Sequence, residues 1–155
     1  MATGMKTSKG MHDKLVRQFS VFLENKVGRL HDLAKLLGSH HIHICALNVI
    51  ELADAAVARI VVSDPDGTRN VFNETAVAYS ECNVVAVELP VGAEGLDKVL
   101  SALLEAEINI NFSYSLMIRP HDKAVVAFCV EDEEMALDVL RRHDFTALTQ
   151  ADISR

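Results

Sequence analysis

Three histidines, His40, His41 and His43, crowd into four positions, and on an extended strand His41 and His43 share a face at a spacing that suits a metal ion. No cysteine or carboxylate pair stands near them in sequence to complete a coordination shell, so the cluster reads as structural or as the rim of a ligand site, and no metal is assigned. Cys45, Cys82 and Cys129 lie in Ile-Cys-Ala, Glu-Cys-Asn and Phe-Cys-Val settings. A nucleophilic thiol needs a base at hand, none is recognisable, and no catalytic residue follows. Glu131-Asp-Glu-Glu134 reads as the solvated start of a helix, where negative charge complements the helix dipole. Val91-Gly-Ala-Glu-Gly95 lacks the third glycine and the lysine of a phosphate loop, so no nucleotide or other cofactor is expected. The loop at Gly28 is a more promising feature, because a glycine-containing entry to a helix exposes backbone N–H groups that can receive a carboxylate. Asn25 and Asn109 each offer a donor and an acceptor, the combination a zwitterion requires. The plainer readings are a helix N-cap for Asn25 and a loop turn for Asn109.

The chain has 155 residues, half of them hydrophobic and 24% charged, enough apolar area for one ordinary domain or two very small ones. With 5% aromatics and no tryptophan, its core must be aliphatic and base-stacking platforms are scarce. A formal charge of −7 disfavours nucleic acid and anionic membranes as partners. Three scattered cysteines fit a reducing compartment, and with no apolar run near the ~18 residues of a span the expected location is the cytoplasm. Residues 1–14 have no apolar stretch of the secretory type and are expected to be a flexible tail.

The elements that must position these residues occur twice. Gln18–Glu24 has strand character, Leu30, Leu33, Leu36 and Leu37 recur at helical spacing, and Ile42–Ile50 and Ala56–Ser63 are two further strands. Asp64-Pro-Asp-Gly67 opens a short helix, and Thr75–Ser80 returns to strand. The order then restarts with a strand at Asn83–Leu89, a helix through Leu96, Val99, Leu100, Leu103 and Leu104, strands at Ile108–Ile118 and Lys123–Val130, a helix at Met135–Arg142 and a weak strand near Thr146. Leu30 to Leu96 and Ile42 to Ile108 are both sixty-six residues, and the ends of the third strands, Asp64 and Asp132, differ by sixty-eight, which places a two-residue insertion near Pro120-His-Asp122. The fold class is therefore α+β, two tandem ferredoxin-like βαββαβ units at 15–81 and 82–155, each with sheet order 4-1-3-2 and helices on one face. Strand two is an apolar edge in each unit, so the units are expected to join edge to edge there into one eight-stranded sheet.

Phe22-Leu-Glu-Asn-Lys-Val-Gly-Arg-Leu-His-Asp-Leu-Ala-Lys-Leu-Leu37, followed by His41-Ile-His-Ile44, resembles the opening of an ACT domain, whose pattern is a strand, a Pro-Gly-x-Leu turn, a helix and a Gly-Ile-Asn-Ile second strand. Val27 replaces the proline, while Gly28 and Leu30 stand where the family has them. Leu96–Leu104 and Glu107-Ile-Asn-Ile110 repeat the match, so the resemblance covers 16–155 as two copies.

The resemblance implies a small-molecule-binding regulatory module rather than an enzyme, its ligand usually an amino acid held at a domain interface by the strand-one-to-helix-one loop of one domain and a polar residue opening strand two of its neighbour. Carried onto this chain, that gives a ligand site of Asn25, Lys26, Val27, Gly28, Arg29, Leu30, Ile108 and Asn109. Its counterpart draws on His43, Leu89, Val91 and Gly92, and with Val91 at the position of Asn25 it has lost its loop amide. One complete site and one altered site are expected. A histidine found two before the loop asparagine in some serine-binding members is Leu23 here. The implied partners are the small molecule, a regulated protein or a second copy of the chain; the alternative is a structural interaction module with vestigial pockets.

Overall fold

The computed structural model describes residues 15–154, and the expected tail at 1–14 lies outside the described residues. Within 15–154 there are seven strands and five helices. They cluster into two compact units, Arg17–Cys82 and Asn83–Ile153, the second including Leu15 and Val16.

In the first unit, β1 (Val16–Glu24) alternates side chains between two faces. Phe19 and Val21 enter the core with Ala58, Ile60 and Val62 of β3 (Ala55–Val62), and both helices cover that face: α1 (Arg29–Ser39) through Leu33 and Leu37, α2 (Pro65–Glu74) through Val71 and Phe72. Phe19 meets Phe72 edge to face at 5.9 Å, a contact worth about 1 kcal/mol beyond its burial. β2 (Ile44–Glu51) pairs with β3, β3 with β1, and β1 with β4 (Tyr79–Glu88), which is the expected 4-1-3-2 order.

The second unit repeats the plan with α3 (Gly95–Glu105), β5 (Ile110–Ser115), β6 (Val125–Val130), α4 (Glu133–Arg142), β7 (Ala147–Leu148) and a closing turn of helix, α5 (Gln150–Ile153). Here β4 pairs with β6 and β7, and β6 with β5. Val99, Leu103, Leu137 and Leu140 of the helices pack on Val85, Val87, Phe128 and Val130.

The duplication holds at the level of single backbone atoms. Both units break strand register at the same place, between Ile44 and Ala46 and between Ile110 and Phe112. Asp64 and Asp132 cap their helices alike, each accepting from the amide three residues on at 3.0 Å. His41 and Glu107, and likewise Ala76 and Asp144, leave their helices at positive φ between 55° and 61°.

Two expectations are corrected. The strands read at Thr75–Ser80 and Asn83–Leu89 are one strand, β4, because nothing between them can turn the chain, and the described strands number seven rather than eight. The expected pairing of the two second strands with each other is also absent, since β2 and β5 each have a single neighbour, β3 and β6.

Candidate functional site

The first loop begins where β1 runs out at Glu24. Gly28, at φ 88°, sits at the N-cap of α1, a left-handed conformation that glycine adopts without strain. No side chain caps the helix there, and a Cβ built on Gly28 would meet nothing within 4 Å. Asn25, Lys26, Val27, Gly28, Arg29 and Leu30 are all exposed in this one stretch, with Val27 wholly in solvent. Lys26 and Arg29 both reach Glu24, at 3.0 and 3.3 Å, and Arg29 also lies 3.6 Å from Asp32. Hydrogen bonding and charge from Lys26, then Arg29, hold the Glu24 carboxyl below the usual carboxylate range. Asn25 is not the helix cap. Its Nδ2 donates to Glu51 Oε1 at 3.0 Å, at the far end of β2, so its carbonyl is the acceptor it can present. The loop thus combines uncapped helix amides and two cations, suited to a carboxylate, with an amide carbonyl and Glu24 and Glu51, suited to an ammonium group.

The second loop, residues 89–94, is two residues longer than the first, residues 25–28, and has a different shape. Its glycine lies one position later: Glu94 occupies the N-cap corresponding to Gly28, and Gly95 begins α3. A Cβ on Gly95 would fall 2.1 Å from the carbonyl oxygen of Pro90, so this loop folds back on its own helix start. Gly92 takes the positive φ, 114°, and its carbonyl accepts from the Gly95 amide at 3.3 Å, as the Lys26 carbonyl accepts from the Arg29 amide at 3.4 Å in the first loop. Leu89 is half-buried and tied to the Ala124 carbonyl at 2.8 Å, while Val91 projects into solvent. Immediately before this loop, the nearly buried Glu88 pairs with His121 of the inserted hairpin, a contact no local sequence pattern signals because thirty-three residues separate the two.

The residues expected to open the second strands sit just before them. His43 is exposed, its amide donating to Ser63 Oγ at 2.9 Å and its carbonyl accepting from the Ser63 amide at 3.0 Å. Asn109 is exposed as well, and its Nδ2 donates to Glu131 Oε1 at 3.0 Å; Ile108, half-buried, donates its amide to the Leu103 carbonyl. Both asparagines therefore work against a glutamate at the other end of a strand or hairpin, partners twenty-six and twenty-two residues away that sequence spacing did not suggest. In the histidine cluster, His40 Nδ1 lies 3.0 Å from the Leu36 carbonyl and 3.2 Å from Ser39 Oγ. Among the described residues no group of three or more histidine, cysteine or carboxylate side chains is placed to share a metal ion. Burial pushes the Cys45 thiol up, away from nucleophilic use.

The sequence pattern described as an ACT domain pair matches residues 14–155. No curated protein matches the chain significantly. Among solved structures, protein BT0572 from Bacteroides thetaiotaomicron superposes with a TM-score of 0.83 at 29% identity, over 92% of this chain and 97% of that one. The ligand-free regulatory subunit of aspartate kinase from Thermus thermophilus gives 0.56 at 12% identity, over 83% and 91%. The corresponding subunit from Thermus flavus gives 0.51 at 13%, over 83% and 91%. The latter two likenesses concern the fold. No helix among the described residues is long and apolar enough to cross a membrane.

Proposed function

The chain belongs to the ACT domain family, as a pair of ACT domains, and from that premise we propose that it is a cytoplasmic sensor that binds an amino acid and passes the signal to a protein partner or to its own assembly. The domains are assigned to 15–81 and 82–155. The ligand's carboxylate is taken by the α1 entry at Gly28, and the side-chain groups of Asn25 and Asn109 orient the zwitterion. The observation that supports this reading most is the contrast between the loops: the one carrying the asparagine is open at its glycine, and the one carrying Val91 is closed by Pro90. A structural module with vestigial pockets draws support from a different fact, namely that both asparagine amides are already bonded to glutamates, Glu51 and Glu131.

A thermal-shift screen of the twenty amino acids separates the two. A ligand at one hundred times its dissociation constant adds about 2.7 kcal/mol to stability, and the sensor reading expects one or a few related amino acids to do so. Asn25→Ala and Asn109→Ala should each weaken that binding about ten-fold or more, the loss of a hydrogen bond to a charged group. His43→Ala should change it little. No shift with any amino acid favours the vestigial module, and a larger loss from His43→Ala than from Asn109→Ala would reverse the assignment of the two sites.

A further inference from the structure

The helix layers of the two units differ most where one helix meets the other. In the first unit α1 carries Leu36 there, half-buried against the core. One turn on, His40 reaches back to the Leu36 carbonyl at 3.0 Å and Ser39 Oγ at 3.2 Å. Sixty-six residues later both side chains are reduced to methyl groups, Ala102 and Ala106. Over them lies an open cleft of about 410 Å³, walled on the α4 side by Val139 and Met135, a volume within the range of small-molecule sites. Val139 and Ala102 are buried, whereas Met135 stands at the edge, 44% exposed.

The rim of the cleft has changed its charge as well. The first unit has Glu74 and Thr75 at the end of α2, the hydroxyl turned back to the Val71 carbonyl at 2.7 Å. The second has Arg142 and His143, both exposed and both lining the cleft. Asp138 takes one Nη of Arg142 at 2.9 Å, which leaves the rest of the guanidinium fork for another acceptor. Glu105, the acidic group on the rim, lies beside His143 at 3.8 Å. Space and positive charge thus arrive together at one place, through four substitutions that are remote in sequence and adjacent in the fold.

We propose that this cleft is a second small-molecule site, separate from the loop at Gly28, and that it takes a monocarboxylate with one compact apolar head. The Arg142 fork receives the carboxylate with His143 beside it. The head lies over Ala102, Ala106 and Val139 and ends against the Met135 thioether, a group that favours an aromatic ring and is flexible enough to fold over it. Met135 and Arg142 stand two turns apart on α4, roughly 10 Å along its axis, the span of a phenyl ring on a short carboxylate arm. Glu105 repels a second carboxylate, so the ligand carries a single negative charge. No ammonium group is needed, and the site stands whether or not the Gly28 loop binds an amino acid.

Calorimetry on the full chain with phenylpropionate, and with the neutral phenylpropionamide as control, tests the site. One acid molecule per chain is expected, with the amide weaker by about ten-fold or more. Arg142→Gln should bring the acid down to the level of the amide and leave the amide unchanged. Ala106→Leu, a filling substitution at a half-buried position, should remove the binding of both, and Asn25→Ala should alter neither. Equal affinity for acid and amide in the unsubstituted chain, no heat with the acid, or full binding by a folded Ala106→Leu chain overturns the proposal. So does acid binding that Asn25→Ala removes and Arg142→Gln leaves intact, because the ligand would then sit at the Gly28 loop.

Discussion

The loop at Gly28 and the loop at Gly95 enter equivalent helices of equal length, yet a Cβ added to the first glycine meets open space and one added to the second strikes the Pro90 carbonyl at 2.1 Å. The first glycine is there for its backbone conformation, at φ 88°, and the second for the space it does not fill. Two copies of one fold can therefore hold glycine at adjacent positions for unrelated reasons, and only at the second does a neighbouring carbonyl crowd the glycine.

The sharpest way to break this comparison is Gly95→Ala. Because the clash is with backbone, it should destabilise the chain by about 3 kcal/mol, read as a lower urea midpoint, whereas Gly28→Ala should lose only the ~1 kcal/mol of its left-handed conformation. Equal losses would show that the second loop can open. The next effect is confined to the first unit, where Arg69 of α2 grips Glu81 of β4 with two hydrogen bonds of 2.9 and 2.7 Å. Sixty-eight residues on, the same positions are Leu137 and Thr149, an apolar and a neutral side chain. Arg69 lowers the Glu81 carboxyl below its ordinary 4.5, so this stabilisation is full above that pH and fades as acid titrates the folded carboxyl. Arg69→Met should cost about 1.5 kcal/mol at pH 7, discounting for partial exposure, with the gap to the unsubstituted chain closing below pH 4.5. The smallest effect sharpens the likeness instead: Asp64→Ala and Asp132→Ala remove matching caps and should each cost about 1 kcal/mol, and unequal losses would mean that the two helix starts are less alike than their geometry.

What the sequence made legible was whatever repeats locally. Leu30 and Leu96, Ile42 and Ile108, Asp64 and Asp132 marked the elements because helix stripes and caps are written within a few residues, and the 4-1-3-2 order followed from the element series. Long-range pairing was not written there. Glu81 and Cys82 read as a gap between strands although neither is a turn residue, and the free edges of β2 and β5 were assigned to each other because an apolar edge demands a partner without naming which. At the candidate site, Gly28 was visible as a helix entry, whereas the hold of Glu51 on Asn25 and of Glu131 on Asn109 depends on folded distance and left no mark in spacing.

The four left-handed residues that end the helices, His41, Glu107, Ala76 and Asp144, share their geometry and no common chemistry. Each precedes an amide that returns to the helix just left: Ile42 to Leu37, Ile108 to Leu103, Val77 to Phe72 and Phe145 to Leu140, all at 2.9 to 3.0 Å. The bond fixes the backbone and leaves the side chain without a say, so an imidazole, a methyl and two carboxylates coexist there under the same strain. For an engineer these positions are the chain's unused stability, because glycine at each relieves a penalty of about 1 kcal/mol at residues that α1 and α2, α3 and α4 have already released to solvent.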